Sequence, residues 1–375
     1  MSDELLSTLR DLVAIDSTSV RTNQPVLDVL EPQLTALGFH CLRHRYRDDS
    51  GVEKANLVAT LGGGGPLELA LVGHTDCVPF DAQWAEALVL TERDGKLYGR
   101  GSCDTKAFIP CALEAARRVA SQLKRPLGLC FTADEEVGCV GAKKLQAGKL
   151  LDARRAIIGE PTSLTPVRAN KGYCLAEVEF TGKEGHSAYP ASGVSAVFHA
   201  ARFVTQLEAF SLEGLRVQTD ATFEPPFTTL NVGVIAGGKA KNIIPGHCRV
   251  TLEWRPIPGQ NVRFVLEQVE AMLRDLHAAD ETFNGKVTPL RMDSGFDTAA
   301  EQDVVRFLET ATGNASKTVA FGTEGPQLAA LGAVPVVFGP GDIRVAHQTG
   351  EFVPKAELLR AAEVLESAIR HFCCA

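Results

Sequence analysis

Four apolar runs in this sequence each end in side chains that bind metals or move protons. Leu67–Gly73 runs into His74-Thr75-Asp76, and Leu127–Thr132 runs into Asp134-Glu135-Glu136. Arg155–Gly159 ends in Glu160-Pro161-Thr162, and Val334–Phe338 is followed by Gly339-Pro340-Gly341 and then His347. A fifth signal, Asp104 in Gly99-Arg100-Gly101-Ser102-Cys103-Asp104, precedes a helical pattern. Each has a plainer reading when taken alone. A lone His at a strand end is more often structural, Glu135-Glu136 is usually a solvated loop, and Asp104 could cap the following helix. Their number argues otherwise. Carboxylates gathered in one pocket repel unless protonated or neutralised, and divalent cations are the usual solution.

Counting donors favours two metals. Catalytic zinc takes about three protein ligands and leaves a position for water. His74 with Glu160 and His347 with Glu136 give two half-sites, and a bridging Asp104 completes both. Two dications, three carboxylates and one hydroxide sum to a neutral core. Asp76 is placed to accept the other ring N–H of His74, and Glu135 remains as the carboxylate free to act as a general base. A different class also fits part of the pattern. His74, Asp76 and His347 could form the 2-His-1-carboxylate triad of a non-haem iron oxygenase. That triad normally rides on an all-β jelly roll and leaves Asp104, Glu136 and Glu160 unexplained.

Convergence of this kind needs a scaffold whose strand ends meet. In open α/β sheets, ligands bind at the carboxyl ends of the strands, so distant signals can share a pocket. Asn56–Leu61, Leu67–Gly73, Leu127–Thr132, Arg155–Gly159 and Val334–Phe338 read as strands buried on both faces. Pro25–Leu37, Lys106–Leu123 and Lys355–Phe372 read as helices, as does the opening segment, with Leu5, Leu6, Leu9, Leu12 and Val13 on one face. Gly62–Gly65 lacks a following Lys-Ser or Lys-Thr, so a turn between strands is expected rather than a phosphate loop.

Between roughly Thr165 and Val287 the texture changes. Tyr173–Phe180, Thr228–Ile235 and Cys248–Arg255 read as half-exposed strands, and Val194–Leu212 and Asn261–Leu276 as helices. The expected organisation is an α/β catalytic domain with a mostly parallel or mixed sheet, formed by residues 1–165 and 288–375. It is interrupted at 166–287 by an inserted α+β (ferredoxin-like) domain.

Composition narrows the class further. A chain of 375 residues suggests two domains, and 45% hydrophobic with 22% charged residues is ordinary globular composition. The net charge of −8 and the absence of a long Lys/Arg run argue against nucleic-acid or anionic-membrane partners. No stretch approaches the ~20 apolar residues of a membrane span, and the opening residues lack the basic-then-apolar pattern of a signal peptide. The expectation is a soluble, cytoplasmic protein. Ten scattered cysteines without a Cys-x-x-Cys pair then read as small buried thiols, with Cys373 and Cys374 expected to be exposed at the chain end.

The runs Gly73-His74-Thr75-Asp76, Tyr98-Gly99-Arg100-Gly101 with Asp104, Asp134-Glu135-Glu136, Gly159-Glu160-Pro161-Thr162 and Ala346-His347 with Glu351 resemble the di-zinc metallopeptidase family. That family includes acetylornithine deacetylase, succinyl-diaminopimelate desuccinylase, aminoacylase, dipeptidases and the glutamate-type carboxypeptidase. The similarity spans nearly the whole chain. Val78-Pro79-Phe80, Pro161-Thr162-Ser163-Leu164, Gly322-Thr323-Glu324 and Gly339-Pro340-Gly341 look most like the acetylornithine deacetylase branch. Departures border the pocket: Thr105 and Ala107 stand for the commoner Met and Gly, Asn170 for a frequent His, and Thr349-Gly350 for Pro-Asp or Pro-Asn.

The resemblance implies hydrolysis of the amide bond of an N-acyl amino acid, acetylornithine foremost, with two Zn2+ per chain and Co2+ able to substitute. Glu135 would deprotonate the attacking water, and His74, Asp104, Glu136, Glu160 and His347 would hold the ions. His186, in Gly185-His186-Ser187-Ala188, matches the family's lid histidine, which reaches a neighbouring active site when the inserted domains pair as a homodimer. Asn242, Arg255, Gly322, Thr323 and Glu324 match substrate-contacting positions. A non-catalytic homologue is the remaining alternative. It would be expected to lose the base or a ligand first, and here Glu135 and all five ligands are present.

Overall fold

The computed structural model describes residues 3–375, and by internal contacts these residues fall into two compact units. The first comprises residues up to Arg168, Thr298–Lys317 and Thr323–Ala375; the second comprises Ala169–Asp297 and Thr318–Gly322. The second thus extends to Asp297, past the 287 expected from sequence. The added stretch contains the strand Asn284–Asp293, which pairs with Tyr173–Thr181 and so belongs to the inserted sheet.

The first unit is built on a mixed sheet. In spatial order its main strands are His40–Arg47, Glu53–Leu61, Leu127–Thr132, Leu69–His74, Arg155–Ile158, Val334–Val337 and Val167–Asn170, with the short Phe296–Asp297 and Lys317–Val319 both pairing with the last. The four from Leu127–Thr132 to Val334–Val337 run parallel, and the outer ones antiparallel. Leu69–His74 and Leu127–Thr132 are buried at every position. Strands covered on both faces have no polar side to alternate with, and this is why their runs are continuously apolar. Gly62–Gly65 forms the bend between Leu61 and the Leu69–His74 strand, as expected.

Phe108–Val119 and Lys355–Cys373 pack in the main core, together with Asp3–Val13, whose Leu5, Leu9, Leu12 and Val13 are buried. Cys373 corrects one expectation. It is fully buried, because the last helix continues into the core and the Cys373 carbonyl accepts the N–H groups of Lys124 and Arg125. All ten cysteines are free thiols. Among the described residues, no helix is long and apolar enough to cross a membrane.

The second unit is a four-stranded antiparallel sheet with two helices, Ala196–Glu213 and Phe264–Ala279. Chain order is strand, helix, two strands, helix, strand, and Tyr173–Thr181 lies between His247–Arg255 and Asn284–Asp293. This is the ferredoxin-like arrangement. Alternate residues of Tyr173–Thr181 and His247–Arg255 are buried, and Cys174, Ala176, Val178, Phe180, Cys248, Val250, Leu252 and Trp254 form its core against the helices.

Candidate active site

Parallel strands deliver their carboxyl ends to one edge, and here His74, Thr132 and Ile158 end three neighbouring strands. Beyond Ile158 the chain must pass under the Phe108–Val119 helix before presenting Glu160. A Cβ on Gly159 would lie 2.1 Å from Phe108 Cγ, so only glycine permits that approach.

The five expected ligands converge in the first unit. His74 Nε2 lies 3.1 Å from Asp104 Oδ1, and His347 Nε2 lies 3.1 Å from both Asp104 Oδ2 and Glu136 Oε2. Ligand atoms of His74, Asp104 and Glu160 lie within 4.8 Å of one another, and so do those of Asp104, Glu136 and His347. Asp104 is common to both groups. Glu136 Oε1 is buried without a hydrogen-bond partner. A buried orphan acceptor in a cluster of carboxylates and imidazoles is what a divalent cation satisfies, so these residues fit a pair of metal ions.

The electrostatics of the protein atoms alone point the same way. Burial pushes Glu160 well above the usual carboxylate range, and the neighbouring Asp104 and Glu135 add to it. Burial also raises Glu136 and Glu135. Burial would raise Asp104 as well, but hydrogen bonds from His347 and His74 hold it low. His347 is pushed up to about 10 by its hydrogen bonds to Asp104 and Glu136. Protons on the imidazoles thus stand where cations would otherwise supply positive charge.

Asp76 works in a way the spacing did not reveal. His74 Nδ1 is 3.0 Å from the Asp76 carbonyl oxygen and 3.6 Å from its carboxylate. A carbonyl can only accept, so Nδ1 carries a proton, and Nε2, which faces Asp104, is the nitrogen that would bind a metal once its own proton is displaced. The Asp76 carboxylate is directed elsewhere. Its Oδ1 accepts the N–H of Glu135 at 3.1 Å, and its Oδ2 accepts the N–H of Glu136 at 3.3 Å and the Ser19 hydroxyl at 2.7 Å.

The acidic loop is fixed further by its neighbours. Asp134 sits in the left-handed region at φ +56, where the buried Lys54 ammonium meets its Oδ1 at 2.7 Å and the Tyr46 hydroxyl donates to its Oδ2 at 3.0 Å. Glu135 Oε1 accepts the Cys139 thiol at 3.3 Å. Lys54 was detectable in principle as a cation inside an otherwise apolar strand. Cys139 carried no sequence signal at all.

The expected substrate positions divide between the units. In the second unit, His186 is exposed on a short strand paired with Ile243, its Nδ1 accepts the Ala188 N–H at 3.1 Å, and its ring is 5.7 Å from that of Tyr189. The carbonyl of exposed Asn242 accepts the Ser187 N–H. Arg255 pairs with Glu253 at 2.7 Å, donates to the Ala320 carbonyl and stacks 4.4 Å from the Tyr173 ring centroid. Gly322 also lies beside Tyr173. Thr323 and Glu324 belong to the first unit and are buried. Neither Glu324 oxygen makes a well-formed hydrogen bond, and burial, only partly offset by nearby Thr132, pushes the carboxyl up to about 7.

Comparison with known proteins places the geometry in context. The chain is 58% identical to acetylornithine deacetylase of Myxococcus xanthus, covering 100% of this chain and 99% of that one. It is 34% identical to acetylornithine deacetylase of Proteus mirabilis, over 96% of this chain and 93% of that one. A tripeptidase from Staphylococcus aureus has the same fold, with a TM-score of 0.78, 25% identity and coverage of 97% and 96%. Residues 70–371 match the sequence pattern of a single peptidase family. The chain, a metal-dependent hydrolase, belongs to Peptidase family M20/M25/M40.

Proposed function

We propose that this protein hydrolyses the amide bond of N2-acetyl-L-ornithine, giving L-ornithine and acetate as a step of arginine biosynthesis, with two zinc ions held by His74, Asp104, Glu136, Glu160 and His347. The observation that carries the chemistry is the pair of three-residue groups sharing Asp104 beside Glu135. The choice of substrate rests on the full-length 58% identity to the Myxococcus xanthus enzyme. A cytoplasmic location is supported by ten thiols that all remain free.

When bound, the ions supply Lewis-acid polarisation of the acyl carbonyl and acidify water. The protein's own residues handle the protons. Glu135 removes one from the attacking water and returns it to the amine nitrogen as the C–N bond breaks. Cys139 and Asp76 hold that carboxylate and its backbone in place. Arg255 is assigned to the substrate α-carboxylate, because its fork matches that group. Glu324 is assigned to the distal amine, since a buried carboxylate that makes no well-formed hydrogen bond is what an ammonium would satisfy. Asn242, Gly322 and Thr323 complete the assigned substrate contacts.

A homodimer through the second unit is part of this proposal. The edge strand Thr229–Gly237 pairs on one side only and leaves Val234 and Ile235 more than half exposed. His186 would then act in the active site of the neighbouring copy.

Purified protein should be assayed with acetylornithine, acetylcitrulline, acetylmethionine and succinyl-diaminopimelate, with and without chelator. Acetylornithine should show the highest kcat/KM, abolished by chelator and restored by Zn2+. A higher kcat/KM for another substrate would displace the assignment, and chelator-resistant activity would overturn the metal role.

A further inference from the structure

Glu351 is a fully buried carboxylate four residues after His347, and none of the roles above uses it. Its surroundings are unusually complete. One oxygen, Oε1, accepts the backbone N–H of Cys103 at 2.9 Å and that of Asp104 at 3.0 Å. The other receives the Arg100 guanidinium. The Glu351 carbonyl accepts the Gly99 N–H at 3.1 Å and the Ser102 hydroxyl at 3.4 Å. Arg100 is itself buried, with Nη2 3.3 Å from the Pro79 carbonyl and its guanidinium carbon 5.4 Å from the Trp84 ring centroid. Directly after Glu351 the strand Phe352–Pro354 pairs with Lys96–Tyr98, Phe352 opposite Tyr98. One side chain therefore ties the segment carrying Asp104 to the segment carrying His347.

We propose that Glu351, held by Arg100, is the positioning residue for the shared ligand Asp104, fixing its backbone so that each carboxylate oxygen faces a different histidine. A bridging carboxylate serves two ions only if its plane is set, and Asp104 Oδ1 and Oδ2 face His74 and His347 at the same 3.1 Å. Asp104 stands in a loop, before the helix starting at Phe108, so regular secondary structure does not fix it. The two N–H bonds to one buried oxygen do. Arg100 offsets the charge that this acceptor buries, since an unpaired carboxylate there would carry a large desolvation cost.

The inference rests on the metal reading given above, and the test separates the two. Zn2+ affinity is measured by competition with a chromophoric chelator, alongside the melting temperature, for wild type and three variants. Arg100→Met with Glu351→Met replaces the ion pair by apolar groups of similar volume and removes the acceptor. Arg100→Met with Glu351→Gln keeps an amide oxygen where Oε1 stands. Glu351→Asp keeps the charge but withdraws it by one methylene.

The double Met variant and Glu351→Asp should each lose about 10- to 100-fold in affinity at both ions, the usual scale for groups that orient a ligand. Arg100→Met with Glu351→Gln should bind near wild type, a rescue that a merely structural role for the ion pair would not give. If the double Met variant does not fold, Glu351→Asp against the Gln variant decides. Wild-type affinity in a folded variant lacking the acceptor overturns the proposal, as does equal weakening in the Gln variant. Wild-type protein that binds no Zn2+ would sink the metal reading itself.

Discussion

The Asp76 carboxylate holds the backbone of Glu135, accepting its N–H at 3.1 Å, while the Asp76 carbonyl holds the ring of His74. One residue thereby sets both a proposed metal ligand and the proposed general base, through different atoms. Asp76→Asn should separate these jobs. The carbonyl remains, so His74 keeps its orientation and metal content should stay near wild type. One of the N–H groups of Glu135 and Glu136 loses its acceptor, at about 1–3 kcal/mol for a buried donor, so kcat should fall about 10- to 100-fold. Loss of metal before loss of kcat would show that the carboxylate acts through His74 instead.

Glu135 and Glu136 are adjacent but should fail differently. Glu135→Gln keeps shape and removes the base, so metal should be retained while kcat falls by about 10²–10⁴-fold. Glu136→Gln removes a contact to His347 and should weaken metal binding first. Metal analysis beside steady-state kinetics reads both. A loss below about tenfold in Glu135→Gln would point to another base.

Much of this site was legible because metal chemistry restricts residue types, and strand ends fix where those residues stand. His74 and Glu160 could be read from the apolar runs that precede them. The ferredoxin-like insert could be read from alternation in Tyr173–Thr181 and His247–Arg255. The two longest strands that escaped are His40–Arg47 and Asn284–Asp293. Both are sheet edges with little buried surface, so neither carries an apolar pattern. Glu351 stood in a motif without a role, because its partners Cys103 and Asp104 are about 250 residues away and are met through backbone atoms that no side-chain pattern encodes.

Acid stability should report on Arg155, which bonds Asp303 at 2.9 Å and Glu68 at 2.6 Å. Hydrogen bonds from Arg155 hold the Asp303 carboxyl below its ordinary value. A depressed carboxyl stabilises fully above its unfolded pKa of about 3.9 and loses that contribution as pH falls through the folded value. Asp303 is half exposed, so the difference between wild type and Asp303→Asn at pH 6 should stay under about 1 kcal/mol. Urea unfolding of both proteins should show the gap closing below about pH 4. A gap that persists unchanged to pH 3 would rule out this pair as its source.

Glu324 should govern the side-chain end of specificity. Glu324→Gln should lower kcat/KM for acetylornithine by about 10- to 100-fold, the scale of a hydrogen bond between charged groups (about 1.5–3 kcal/mol). Acetylmethionine, which has no distal amine, should be affected little. An unchanged ratio between the two substrates would remove Glu324 from amine recognition and leave it a buried acid near Thr132.

His186 carries the most exposed expectation. The oxyanion formed as the carbonyl is attacked needs a donor beyond the metal centre, and His186 is proposed to supply it. In the second unit its Nδ1 already accepts the Ala188 N–H, so the proton stays on Nε2, leaving that nitrogen as the available donor. If it acts in a neighbouring copy, His186→Ala and Glu135→Gln should each be nearly inactive, yet subunit exchange between them should restore activity. Of the two sites in a mixed dimer, one lacks both groups, and the other has Glu135 from one chain and His186 from its partner. Recovery should approach a quarter of wild-type activity under random exchange of equal amounts, since half the dimers are mixed and each has one working site. Mixed dimers that stay inactive while folded and metal-loaded would refute action in trans, and full activity of His186→Ala alone would end any catalytic role for the residue.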